Sequence, residues 1–236
     1  MLKILIIITN CYLAHTLTCN DVLDLPDSKR LTLKELQTLQ PKDTVQCLAH
    51  LGKEQLLKEE ADFIWQSIVN YHGGIGNIPD AILVLLHWVT PALTPDDYGN
   101  LTLSNIDVIQ NFGLNYGLNE DQLSAIADRV REDFAGKEPQ DYSFYDLTAL
   151  RQILCAFNQS EIESIRPLAY KEAAILLGKL ENCKPEVMQG FATLAVHPNA
   201  FGSPAGWSES TIRVIGKVAD YIPQEFINQN NKPNNN

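Results

Sequence analysis

The residue types able to carry chemistry are few in this chain, and their spacing does not assemble them. Of five histidines, His15 lies in an apolar leader-like stretch, and His50, His72, His87 and His197 make neither a His-x-x-x-His pair nor a Glu-adjacent zinc pattern. His87, beside Trp88 in an apolar run, reads as a core or boundary residue. No Gly-x-Ser-x-Gly elbow presents a nucleophilic serine. The loop GGIGNIP at 73–79 lacks the final glycine and preceding strand of a dinucleotide-binding turn, and reads as a helix C-cap followed by a helix that Pro79 starts. The acid pairs Glu59-Glu60, Asp96-Asp97 and Glu132-Asp133 lack the alternating oxygen ligands and central glycine of a calcium loop. They read as solvated helix ends, Asp96-Asp97 following Thr94-Pro95 where negative charge favours a helix start. No catalytic residue, cofactor or metal site is expected.

Modification chemistry is better represented. Asn100-Leu-Thr and Asn158-Gln-Ser are glycosylation acceptors, and both fall between predicted helices, where a bulky glycan stays in solvent. Residues 1–19, MLKILIIITNCYLAHTLTC, place Lys3 before an apolar run and end in small polar residues, the pattern of a secretory signal peptide. Cleavage near 16–19 removes Cys11 and leaves Cys47, Cys155 and Cys183, with Cys19 kept or lost according to the site of the cut. Four cysteines allow three full pairings, and sequence alone does not choose among them.

No later stretch reaches membrane-spanning length; ILVLLHWV at 82–89 reads as a buried helix. The expected organisation is a leader over 1–19, one helical domain over 20–227 and a polar, low-complexity tail over 228–236, without the hydrophobic end that a glycolipid anchor needs. A net charge of −11 with 18 scattered basic residues argues against a nucleic-acid binder.

The elements that must position these residues are helices. Apolar residues recur at helical spacing over 33–39, 63–69, 80–90, 121–130, 146–157, 171–180, 186–196 and 211–222, which predicts roughly nine or ten short helices and an all-α fold. An offset of 65 residues aligns Ser143, Leu147, Leu150, Ile153, Phe157 and Ile162 with Ser208, Ile212, Ile215, Val218, Ile222 and Ile227. Each set opens on a serine placed to cap a helix, as stacked helical units would. Between two predicted helices, FGSPAGWSES at 201–210 turns the chain on its glycines. Trp207 stands just ahead of the capping Ser208, where an aromatic fixes the angle of helix entry. Trp207 is therefore expected as a structural corner.

LRQILCAF, Cys183 in LENC, FGSPAGWS and the helix ending Tyr221-Ile222-Pro223-Gln224 together resemble the C-terminal part of the mesothelin, stereocilin and otoancorin family. The resemblance is best over 143–227, and LTPDDYGNLTLSNIDVIQNFG has the look of the family's helix starts. Gly202-Ser203-Pro204 stands where the family has Gly-Pro-Pro, and the family's common glycolipid anchor has no counterpart here, which puts attachment by that means in doubt. The resemblance implies a right-handed superhelix of short stacked helices, an armadillo- or HEAT-like solenoid. It also implies a Cys155–Cys183 disulfide and an extracellular role in cell adhesion or cell-to-matrix attachment, with a glycoprotein or matrix component as partner. The alternatives are a secreted lipid or small-molecule carrier, in which helix 82–89 would line a cavity, and a secreted hydrolase with a site assembled from distant residues.

Overall fold

The computed structural model describes residues 16–26 and 29–222. The leader expected over the first residues falls outside this range as far as residue 15, as do the tail over 228–236 and the end of the expected domain. Among the described residues there are α-helices and 3-10 helices and no strand. The chain begins with α1 (Cys19–Leu23), α2 (Leu33–Leu36), α3 (Pro41–Gln46), α4 (Leu48–Leu51) and α5 (Lys58–His72). Thr18 caps α1, the Leu17 amide donates to Thr38 Oγ1 at 3.4 Å, and Cys19 is buried.

From residue 75 onward one element order recurs. A 3-10 turn over Ile75–Asn77 leads into α6 (Asp80–Leu83), a 3-10 segment over His87–Ala92, α7 (Pro95–Gly99), α8 (Ile106–Phe112) and α9 (Glu120–Asp133). The second round is a 3-10 turn over Pro139–Asp141, α10 (Phe144–Leu150), a 3-10 segment over Arg151–Ala156, α11 (Gln159–Ser164), α12 (Pro167–Leu177) and α13 (Pro185–Val196). The third starts with Pro204–Gly206, α14 (Glu209–Ile215) and Gly216–Tyr221. The starts at 75, 139 and 204 are offset by 64 and 65 residues, so the two-copy correspondence in the sequence is part of a three-copy one.

Packing repeats with the same period. The helices α6, α8, α10, α12 and α14 form one row, each against the next. In a second row, α5 packs on the 3-10 segment His87–Ala92, α9 on Arg151–Ala156 and α13 on Gly216–Tyr221. Helices this short have little stability alone, so the apolar faces shared between rows hold them. Leu86, Leu150 and Ile215 occupy one position in the three units, and Val89, Ile153 and Val218 another; all six are buried.

Three segments expected as continuous helices, 80–90, 146–157 and 211–222, are each broken part-way. The break falls at His87 (φ 43°), Arg151 (φ 39°) and Gly216 (φ 58°), where the backbone enters a region disfavoured for side-chain-bearing residues. Its cause is tertiary. The carbonyl of Gly52 accepts a hydrogen bond from the Trp88 amide at 3.0 Å, that of Gly113 from Gln152 at 3.1 Å, and that of Gly178 from Lys217 at 2.9 Å. A Cβ on these three glycines would run into the carbonyl oxygens of Leu86, Ala149 and Ile215 respectively. Each corner therefore docks backbone against backbone on a glycine of the preceding helix end, and the chain turns from α into 3-10 geometry there.

Candidate functional site

Both glycosylation acceptors are exposed, and they sit on the same kind of element. Asn100 is the C-cap of α7 and Asn158 the N-cap of α11, equivalent helices of successive units. Asn158 Oδ1 accepts from the Glu161 amide at 2.9 Å and from Ser160 Oγ at 2.6 Å, so the cap uses the oxygen and not the nitrogen that a glycan would take. Asn100 Nδ2 itself donates to the Asp96 carbonyl at 2.8 Å. The α11 cap is tied to α9: Glu161 takes two hydrogen bonds from the Arg131 guanidinium, at 2.8 and 3.0 Å, and Arg131 lies over the Phe157 ring. Partial burial pushes the Glu161 carboxyl up, but Arg131 and the Asn158 amide outweigh it and leave it below its ordinary value.

Cys155, in the 3-10 segment, and Cys183, just ahead of α13, are joined with Cα atoms 4.6 Å apart, inside the range a disulfide spans. The return path is α11, which carries the chain back before Pro167 opens α12. Gln152 Nε2 also donates to the Glu181 carbonyl beside this bridge. A second disulfide, whose pairing the sequence leaves open, joins Cys19 of α1 to Cys47 at the end of α3, with Cα atoms 5.4 Å apart.

Trp207 is half-buried, and its Nε1–H donates to the carbonyls of Phe201 (3.2 Å) and Gly202 (3.1 Å). The indole thus anchors backward onto the corner that precedes it, while Ser208 Oγ accepts from the Thr211 amide to start α14. Tyr142 and Ile78 hold the same place in the earlier units.

Buried polar groups here serve packing. Tyr98 donates to the Thr90 carbonyl at 2.9 Å, and burial pushes its hydroxyl well above the ordinary phenol range. Burial likewise moves Tyr116, which donates to Asn111 Oδ1, up to about 12. The Asp146 carboxylate caps α10 through Ser143 and takes a 2.7 Å bond from the Lys137 ammonium. His50, His72, His87 and His197 lie in four separate elements or caps and converge on no common point.

Within residues 82–89, Leu83, Leu86 and Val89 are core, and Trp88 borders an open surface pocket beside Lys58, Pro91 and Tyr116. A shallow cleft open to solvent lies at the N-terminal end, floored by Val22, Leu36, Leu51 and Ile64 and edged by Lys29, Arg30 and Glu60. The glycines at the corners and this cleft are what reading the sequence missed, and the pairing of Cys19 with Cys47 is what it left open. The glycines gave no common signal, since the apolar run expected over 171–180 passes through Gly178.

No family model matches the chain. It is 30% identical over 124 residues to stereocilin of Mus musculus and 27% identical over 150 residues to otoancorin of Mus musculus. The chain is a partial homologue of both. The stereocilin match takes in 52% of this chain and the otoancorin match 64%, and the stereocilin of Homo sapiens is 29% identical over 124 residues. The chain spans only 7% of stereocilin and 13% of otoancorin. The stereocilin- and otoancorin-like sequence is thus carried on an all-α fold with two disulfides. Among the described residues, no helix is long and apolar enough to cross a membrane.

Proposed function

We propose that this chain is a non-catalytic extracellular attachment protein. In this reading its stacked helices wind as a right-handed superhelix whose surface binds a cell-surface or matrix glycoprotein. The observation that carries the proposal is the partial homology to stereocilin and otoancorin. Two further features support it. Disulfides persist in oxidising compartments, and the chain has two. Asn100 and Asn158 are both exposed, at ends of equivalent helices, where the glycans of a secreted protein would reach solvent.

The test is capture of the protein, secreted from a eukaryotic cell, on immobilised matrix and mucin-type glycoproteins, with glycosidase treatment reporting the glycans by gel mobility. Saturable binding that survives removal of the glycans is expected. Absence of binding to every such surface, together with turnover of ester, glycoside or peptide substrates, would replace attachment by hydrolysis. The N-terminal cleft favours one second reading, a carrier of an amphiphile with an anionic head near Lys29 and Arg30, and co-purified acyl lipid is its signature.

A further inference from the structure

The three units differ most at the outer face of the last. In the first two, the helix that opens each unit is covered by the next helix of its row: α8 lies on α6, and α12 on α10. Leu83 and Leu147, at the same position in those units, are accordingly 2% and 0% exposed. Ile212 holds that position in α14, after which no further helix of the row is described, and it is 49% exposed. The residue before the helix shows the same contrast: Ile78 and Tyr142 are buried, Trp207 only half so. The internal repeat thus supplies its own control, and by that control the α14 face is uncovered among the described residues.

The opposite end of the stack is closed. There α1 lies on α3, held by the Cys19–Cys47 bridge, with Val22 turned inward and Asn20, Leu23 and Asp24 exposed. Head-to-tail stacking would set Ile212 against Leu23, but α1 has Asp21 and its C-cap Asp24 and no basic residue, so Glu209 would face carboxylates. Apposition of two α14 faces buries Ile212 and fits the charges. Glu209, Ile212 and Arg213, at i, i+3 and i+4, share one face of the helix. Glu209 and Arg213 pair at 3.1 Å within the helix while both stay largely exposed. Antiparallel pairing about a twofold axis sets each Glu209 against the partner's Arg213 and brings the two Ile212 side chains together, the self-complementarity that an isologous contact requires.

We propose that two copies of the chain associate through their α14 faces, centred on Ile212. A seven-residue helix makes a small contact, so the dimer is reversible and concentration-dependent. It goes beyond the attachment role in that it would present two binding surfaces on one particle and raise their combined strength without any new contact to the partner.

Sedimentation equilibrium of the full chain tests this. A monomer–dimer equilibrium is expected, and Ile212→Asp should shift it to monomer while leaving the thermal midpoint unchanged. Glu209→Arg and Arg213→Glu variants should each be monomeric alone and associate with one another when mixed, which an effect confined to one chain cannot produce. A full chain that stays monomeric at every concentration, or an Ile212→Asp variant that dimerises as the parent does, overturns the proposal. Should the full chain be monomeric and deletion of 223–236 release association, that segment and not a second copy covers the face, which also overturns it.

Discussion

The Gly113 carbonyl accepts the Gln152 amide at 3.1 Å, which brings a helix end and a corner 39 residues later into backbone contact. A methyl group on Gly113 would meet the Ala149 and Leu150 carbonyls, and neither can move without opening the α8–α10 packing. Gly113→Ala is expected to cost about 2–3 kcal/mol, in the upper range for overpacking. Gly206→Ala, where a Cβ meets nothing within 4 Å, serves as the control and should be near neutral. Denaturant melts of the two variants check the contrast.

Arg151 bears the unfavourable half of the same corner. Its φ of 39° with ψ of −111° suits glycine, and the third unit has Gly216 at this place with φ 58° and ψ −134°. Arg151→Gly should therefore stabilise the protein by about 1 kcal/mol, after loss of the Arg151 Nε bond to the Thr148 carbonyl. A lower midpoint would show that the guanidinium contributes more than the backbone loses.

The two disulfides close loops of equal sequence separation, 28 residues each. Chain entropy then predicts equal costs for their removal, about 3.5 kcal/mol apiece. Cys19→Ser/Cys47→Ser and Cys155→Ser/Cys183→Ser should shift the midpoint alike, and intact mass under non-reducing conditions should show no free thiol among the four. A larger loss at Cys155–Cys183 would mean that the bridge also holds the corner against α13.

Acid should weaken the α10 start. Burial pushes the Asp146 carboxyl up, but the bond from Lys137 and those from Ser143 prevail, so its folded pKa lies below its ordinary value of 3.8. The unfolded chain therefore binds the proton more readily. The stabilisation is fully present above the ordinary carboxylate value and is lost as pH falls through the lower folded one. Asp146→Asn should flatten the acid limb of the midpoint against pH and cost about 2 kcal/mol at neutral pH. That is less than for a fully buried pair, because the stranded Lys137 still reaches water.

Trp207 separates ring packing from hydrogen bonding. Trp207→Phe keeps an aromatic body and loses the two bonds to Phe201 and Gly202, a cost of about 1 kcal/mol. Trp207→Ala should cost about 2 kcal/mol, below the range for a fully buried indole. Thermal melts give the order. Unchanged stability with lost capture on a glycoprotein surface would make the indole a contact residue.

The all-α class, the capped helix starts at Ser143 and Ser208 and the corner ahead of α14 were legible in the sequence. Each depends on residues within a turn or two of one another: an apolar period, a capping oxygen, a glycine that permits a reversal. The breaks at His87, Arg151 and Gly216 were not, because their local apolar pattern continues helically through the break. What stops the helix is a glycine carbonyl from 35 to 38 positions earlier, and a local pattern contains no information about that approach. The third copy of the unit was hidden for a related reason, since Pro79 stands where Ser143 and Ser208 cap, and the equivalence survives in backbone path more than in residue type. The pairing of Cys19 with Cys47 and the exposure of Ile212, beside its buried counterparts Leu83 and Leu147, likewise belong to tertiary structure. Identical helical periodicity marks all three positions, and only the presence or absence of a neighbouring helix decides which side chain leaves water.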